Sequence, residues 1–195
     1  MNKNKETIIM ILSERIETRR LILERPKATF ELAQEIYTYV QLSLNNLQPW
    51  LPWANSMDSV EGEFAYLLNW CNKHWEERTG FPFIIRDKDI KRFLGVIDVI
   101  HIDEKNKIGE IGYWLQNNAM GQGYMREAVL AVEKQCFIAG LNRIEIRNDT
   151  RNEASANVAR RAGYHLDGVL RQDKWSEYDK KFVDSNVWSK LKEEK

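Results

Sequence analysis

Two glycines one residue apart, Gly121 and Gly123, close a polar loop between an apolar run ending at Leu115 and a helical pattern that opens near Met125. Glycine removes side chains where backbone N–H groups must approach an anion, and the free amides at the positive end of the following helix favour a diphosphate. A tight turn into a helix would account for the same spacing without any ligand. Other phosphate signatures are missing: no Gly-x-x-x-x-Gly-Lys-Ser/Thr occurs, and Arg126 stands where a dinucleotide fold would want its third glycine. The three histidines and two cysteines form no cluster with metal-ligand spacing, and there is no Gly-x-Ser-x-Gly elbow. Metal and serine-hydrolase mechanisms therefore lack their residues, and no metal is expected.

The elements that would position this loop follow from periodicity. A broken alternation from Ile16 to Leu23 predicts an opening strand stopped by Pro26. From Ala28, Phe30, Ala33, Tyr37, Val40 and Leu44 recur at helical steps. A second helix, capped by Asp58 or Ser59, carries Phe64, Leu67, Leu68, Cys71 and Trp75 and is expected to stop at Gly80. Strands over Phe81 to Ile85, Arg92 to Ile102 and Lys107 to Leu115, with polar turns between them, predict an antiparallel meander. After the glycine pair comes a helix with Met125, Ala128, Val129, Val132 and Cys136 on one face, ended at Gly140. A strand from Arg143 to Arg147, a helix from Glu153 to Ala162 and weaker strands at Tyr164 to Leu170 and Phe182 to Lys190 complete an α+β order.

A chain of 195 residues with 43% apolar content can bury one sizeable core and has no room for two typical ones. Lysine plus arginine and aspartate plus glutamate each number 29, so nothing in the balance argues for nucleic acid or a membrane surface as partner. Cys71 and Cys136 fall at apolar helix positions and read as buried thiols of a reducing compartment, hence a cytoplasmic location. The run Ile8 to Leu12 is too short for a signal peptide or membrane span.

This order of elements, with the segments IETRRLILERP, LQPWLPWA, EIGYWLQNNAMGQGYMREAV and RNEASANVARRAGYHLDGVLR, resembles the GNAT superfamily of N-acetyltransferases. Within it the chain looks like the RimJ/RimL branch, which modifies ribosomal-protein N-termini, and the resemblance runs from Ile16 to about Trp188. It implies one domain over 1–195 with 1–13 as an N-terminal extension. The implied fold is a mixed, mostly antiparallel sheet, splayed at the acetyl-CoA site and flanked by about four helices. It also implies acetyl-CoA as cosubstrate and a protein N-terminal α-amine as acceptor. A small-molecule amine such as a polyamine or aminoglycoside is the alternative acceptor, and a coenzyme A sensor without turnover is a third reading. A homodimer is compatible with the family.

The resemblance also assigns residues. The backbone near Leu115 and Gln116 would meet the thioester carbonyl, and the amides of Met120, Gly121, Gln122, Gly123, Tyr124 and Met125 would meet the pyrophosphate. Asn118 departs from the Arg or Gln that opens the family's loop, and Arg126 could supply the lost contact. Asn152, otherwise a plain helix N-cap, would pair with the pantetheine arm. The tyrosine that many relatives carry four residues after Ser155 is replaced by Ala159, so Ser155 becomes the proton donor to the departing thiolate. A thiol of pKa about 8.5 asks little of that donor.

For the general base, Glu110 ranks ahead of Asp98, His101 and Asp173. A solvated, ion-paired carboxylate is the plain alternative for Glu110. Lys174 occupies the spot where the branch carries a glutamate. Trp50 and Trp53 would wall the acceptor pocket, although with seven tryptophans in the chain core packing competes for each, Trp114 included.

Overall fold

A computed structural model describes residues 10–194. The extension expected over 1–13 is therefore seen only from Met10, and residues 1–9, including Ile8 and Ile9 of the apolar run, lie outside the described residues. What is seen of it is docked, for Met10 and Leu12 are buried in the main core.

The single opening strand expected over Ile16 to Leu23 is a hairpin, β1 (Arg15–Glu17) and β2 (Leu21–Glu24). Thr18 makes the turn, since its Oγ1 accepts the Leu21 N–H at 2.9 Å. Helix α1 (Phe30–Leu47) starts at the Thr29 cap, whose hydroxyl accepts the Leu32 N–H. Its buried stripe is Ala33, Ile36, Val40, Ser43 and Leu47, rotated from the expected one, with Phe30 left exposed.

The second predicted helix is three joined pieces: α2 (Val60–Tyr66), a π-helical turn (Leu67–Cys71) and α3 (Asn72–Glu77). It ends on Arg78 in the left-handed region (φ 60°), two residues before the expected stop at Gly80. The Ser59 cap is as expected, accepting the Gly62 N–H at 3.1 Å.

The meander forms as predicted: β3 (Phe81–Asp87), β4 (Phe93–Asp103) and β5 (Ile108–Leu115). Helix α4 (Tyr124–Ile138) crosses to β6 (Arg143–Asp149), α5 (Glu153–Arg161) follows, and β7 (His165–Ser176) and β8 (Lys181–Leu191) close the chain. The strand expected to end at Leu170 runs on to Ser176 because two bulges, at Leu166/Gly168 and Leu170/Lys174, break its alternation.

The eight strands make one sheet in the order β1-β2-β3-β4-β5-β6-β8-β7. Every neighbouring pair is antiparallel except β5 and β6, which the α4 crossover makes parallel. Those two strands pair only at Ile108↔Arg143, Gly109↔Ile144 and Glu110↔Glu145. Beyond that point β5 follows β4 to Leu115 and β6 follows β8 to Asp149, so the sheet forks. On one face of the sheet Ile97, Val99 and Ile111 pack with Met125 and Val129 of α4 and Ala156 of α5, and on the other Phe93 and Trp114 pack with Ile36 and Val40 of α1. Cys71 and Cys136 are buried and unbonded, and no described helix is long and apolar enough to cross a membrane.

Candidate active site

The fork opens a cleft of about 1360 Å³ through the sheet. Strand alternation sorts what faces it. Odd-numbered Tyr113 packs toward α4 and α5 while even-numbered Val96 and Trp114 pack toward α1 and α2, so Asp98 and Glu110 share the second face. The Gln116 N–H donates to the Leu94 carbonyl at 2.9 Å. Its neighbour Leu115 must therefore aim its N–H away from β4, into the gap that β6 has left. Gln116, expected beside the cofactor, is spent on structure, because its side chain also accepts the Asn118 N–H at 2.9 Å.

On the α4/α5 face lies the glycine loop. Gly121 and Gly123 both hold left-handed backbone, at φ 74° and 76°, where an L side chain is strained. A Cβ on Gly121 would meet nothing within 4 Å, so the space above it is open. The first α4 bond is donated by Glu127 to the Gly123 carbonyl, which leaves the N–H groups of Tyr124, Met125 and Arg126 ahead of the helix ladder. Positive charge gathers here: Arg19, Arg20, Arg126 and Arg161 all line the cleft.

Arg20 carries the loop's architecture. Its Nε meets Glu127 Oε2 at 2.7 Å, its Nη1 donates to the Gln122 carbonyl at 3.0 Å, and its guanidinium lies 4.5 Å over the Tyr124 ring. A Cβ on Gly123 would sit 3.6 Å from Arg20 Nη2. Arg126, suggested as a substitute for the family's charge at Asn118, is tied by its Nε to the Arg161 carbonyl, and both it and Arg20 line the cleft. Asn118, Gln122 and Tyr124 brace the loop without lining the cleft; the Asn118 carbonyl accepts Gln122 Nε2 at 2.7 Å.

Where the two faces meet, Tyr113 from β5 places its hydroxyl 3.0 Å from Ser155 Oγ and 3.3 Å from the Ser155 carbonyl. Burial pushes the Tyr113 phenol up to about 12, with the Ser155 hydrogen bond pulling the other way, so it stays protonated at neutral pH. Asn152 caps α5, its Oδ1 accepting the Ser155 N–H at 3.0 Å. Its side-chain NH2 has no partner among the described residues and borders the cleft.

The α1/α2 face is acidic and aromatic, with Trp50, Trp53, Asp58, Glu63, Tyr66, Trp70, Asp98, Glu110 and Trp114 on the cleft. Trp53 is 39% exposed and leans on buried Trp114 at 6.0 Å between ring centroids. Trp50 lies under the Arg151 guanidinium at 5.9 Å. Glu110, last residue before the fork, is engaged: His101 Nδ1 is 3.0 Å and Arg147 Nε 3.8 Å from its Oε2. His101 itself points to solvent, its side chain 74% exposed.

Asp98 is pushed up to about 7, first by burial and then by the Glu110 charge. Glu63 rises to about 7 by burial alone. Asp173 is not brought to the cleft: it stands exposed on β7, where the bulge at Leu170/Lys174 turns its neighbour Lys174 onto the cleft instead. Arg20, Glu63 and Tyr113 were not singled out from sequence.

Comparison with known proteins agrees with this geometry. A family profile described as acetyltransferase (GNAT) domain matches residues 20–165. The ribosomal-protein-serine acetyltransferase of Escherichia coli (strain K12) is 26% identical over 181 residues, 92% of this chain and 94% of that one. The uncharacterized N-acetyltransferase YoaA of Bacillus subtilis (strain 168) is 30% identical over 138 residues, 70% of this chain and 76% of that one. In fold the chain is similar to RimL, the ribosomal L7/L12 α-N-protein acetyltransferase solved with coenzyme A. There the TM-score is 0.84 at 23% identity, covering 93% of this chain and 100% of that one. It is similar also to the microcin C7 self-immunity acetyltransferase MccE solved with acetyl-CoA and AMP, with TM-score 0.81 at 23% identity over 89% and 93%.

Proposed function

The chain belongs to the acetyltransferases of the GNAT domain family, and from that premise we propose that it moves the acetyl group of acetyl-CoA onto the N-terminal α-amine of a protein. The observation that carries this reading is the forked sheet, with a phosphate-shaped loop on one face and a carboxylate-lined aromatic pocket on the other. The Tyr113–Ser155 pair stands at the junction. The resemblance to a ribosomal-protein-serine acetyltransferase supports a protein acceptor.

The residues present suit the cosubstrate. Open space over Gly121, the leading N–H groups of α4 and the Arg20 and Arg161 guanidinia answer a diphosphate. The Asn152 NH2 answers the amide-rich arm. Acetyl-CoA brings an activated thioester. The Leu115 N–H donates to charge developing on the acetyl carbonyl oxygen. With the Tyr113 hydroxyl donating to Ser155 Oγ, the serine proton is free to pass to the departing sulfur.

An α-ammonium has a pKa of about 7.7 to 8.0, against about 10.4 for a lysine-like amine, so a carboxylate near 7 is base enough for the first. Asp98 fits that task better than Glu110, whose carboxylate is occupied by His101; Glu110 acts by keeping Asp98 basic. The small-molecule alternative draws support from the same acidic wall, whereas the sensor reading leaves the Tyr113–Ser155 pair without a use. Val169, Leu170 and Trp175, exposed on the edge strand β7, and Phe182 beside them on β8 support a homodimer.

Thiol release from acetyl-CoA with an octapeptide beginning in serine, followed by mass spectrometry, tests the reading. A product acetylated at the α-amine is expected. A free-amine peptide left unmodified while a diamine is acetylated would move the enzyme to the small-molecule class.

A further inference from the structure

Glu63 is a buried carboxylate without a partner. It sits one turn into α2, only 5% exposed, and its carboxylate makes no hydrogen bond or ion pair among the described residues, yet it borders the cleft. A charge so placed is unfavourable unless something comes to meet it. No backbone carbonyl takes up a protonated form, and no described group of three metal-ligating side chains includes it.

Its surroundings say what would meet it. Tyr66 and Trp70 stand on the same helix and border the same cleft, stacked at 5.1 Å and 12° between planes. Trp70 belongs to the π-helical turn Leu67–Cys71, which follows Tyr66 directly and is closed by the Asn72 N–H on the Leu67 carbonyl, a local irregularity that often marks working surface. From the opposite wall, β4 contributes Asp98, close enough that both carboxylates bear on Tyr66 and Cys71. A carboxylate beside aromatic faces is a receptor for a nitrogen cation.

The reacting amine must be neutral when it attacks, so it gains nothing from a carboxylate that holds it charged. On the premise that this face receives the acetyl acceptor, we infer that Glu63, with Tyr66 and Trp70, binds a second, non-reacting cationic nitrogen. The preferred acceptor therefore carries two: the amine to be acetylated and another a few bonds away. Two sources have this chemistry, a peptide with lysine or arginine just after its N-terminus and a small diamine.

Calorimetry separates the possibilities. Wild type and Glu63→Gln are titrated with 1,4-diaminobutane against 1-aminobutane, and with Ser-Lys-Ala amide against Ser-norleucine-Ala amide. Thiol release from acetyl-CoA is followed on the same preparations. Wild type is expected to bind the dication of at least one pair about tenfold more tightly, the size of one charge-assisted contact. Glu63→Gln is expected to bind both members within about twofold. The pair that discriminates identifies the source. Equal binding of both pairs by wild type, or a preference kept intact in Glu63→Gln, overturns the inference. Because the preference is read from binding, thiol release judges acetyl transfer separately: a Glu63-dependent preference without thiol release refutes the transfer reading alone.

Discussion

The Tyr113 hydroxyl lies 3.0 Å from Ser155 Oγ, so a phenol from β5 meets the serine of α5, a helix that carries Ala159 and no tyrosine. Strand and helix meet here only because β6 departs after Glu145, letting α5 reach the odd-numbered face of β5. Ser155→Ala should lower kcat about a hundredfold and leave the KM for acetyl-CoA nearly unchanged. Tyr113→Phe should lower kcat about tenfold, and the double variant should resemble Ser155→Ala, since the two act as one unit. Steady-state kinetics on the three proteins read this directly; full multiplicativity would mean that the hydroxyls act independently.

The glycine loop makes a second prediction. At φ 76° a Cβ on residue 123 strains the backbone by roughly 1–2 kcal/mol. It would also rise toward Arg20 Nη2, 3.6 Å away, into space assigned to phosphate. Gly123→Ala should weaken acetyl-CoA binding about tenfold in calorimetry, with the acceptor KM little changed. Arg20→Met should do the same through lost charge and loosened loop.

What was legible in the sequence was whatever local periodicity determines. The meander, α4 and α5 follow from apolar spacing and from Asn152 and Gly140, and the start of α2 from Ser59. The hairpin at Thr18 to Arg20 was hidden because three polar residues fit an imperfect strand as well as a turn. The β7 bulges erase the alternation that would have carried the strand past Leu170. At the site, the glycine pair was visible since its chemistry is backbone chemistry. Tyr113 and Glu63 were not, because their roles depend on which face of a strand or helix meets the cleft. That is a property of register and of the π-helical turn, not of residue type. Asp173 and Lys174 were exchanged for the same reason: one bulge reverses which of two neighbours faces inward.

Glu127 anchors the loop from below, accepting from Thr18 Oγ1 at 2.6 Å and from the Arg20 N–H at 2.9 Å, and pairing with the Arg20 guanidinium. Burial pushes its carboxyl up, but the Thr18 and Arg20 bonds together outweigh burial and hold it below the ordinary value. A depressed carboxylate stabilises the fold above its unfolded pKa and ceases to as pH falls through the folded one. Glu127→Gln should therefore cost about 1–2 kcal/mol at pH 7. In urea titrations this difference should hold above the usual glutamate range and shrink steadily as pH falls below it.

A buried pair far from the chemistry gives a stability test. Lys190 Nζ meets Glu133 Oε1 at 2.6 Å and the Ala162 carbonyl at 3.0 Å, while Glu133 Oε2 has no partner. Lys190→Met leaves that carboxylate uncompensated and should destabilise by about 3 kcal/mol. Glu133→Gln combined with Lys190→Met should recover most of the loss. Thermal unfolding of the two variants decides whether the pair or the methylene packing matters.

Glu63→Gln should behave in the opposite way to Lys190→Met, by making the protein more stable. Burial raises the Glu63 carboxyl to about 7, so between its unfolded pKa of about 4.3 and that value the folded state binds the extra proton. Its favourable contribution is complete below about pH 4 and is lost as pH rises through 7. The titratable groups around it are Asp98, and Tyr66 and Cys71, which burial keeps protonated, so none supplies a cation to relieve it. Glutamine removes the ionisation, so the variant should match wild type near pH 4 and exceed it by on the order of 3 kcal/mol at pH 8. A carboxylate kept at that expense on the wall of a cleft is what a binding role for a cation requires. Saturating diamine or basic peptide should then close the gap by stabilising wild type and not the variant. Denaturant midpoints at pH 4 and pH 8, with and without the amine, measure both effects; a variant no more stable at pH 8 would mean that the carboxylate is solvated after all.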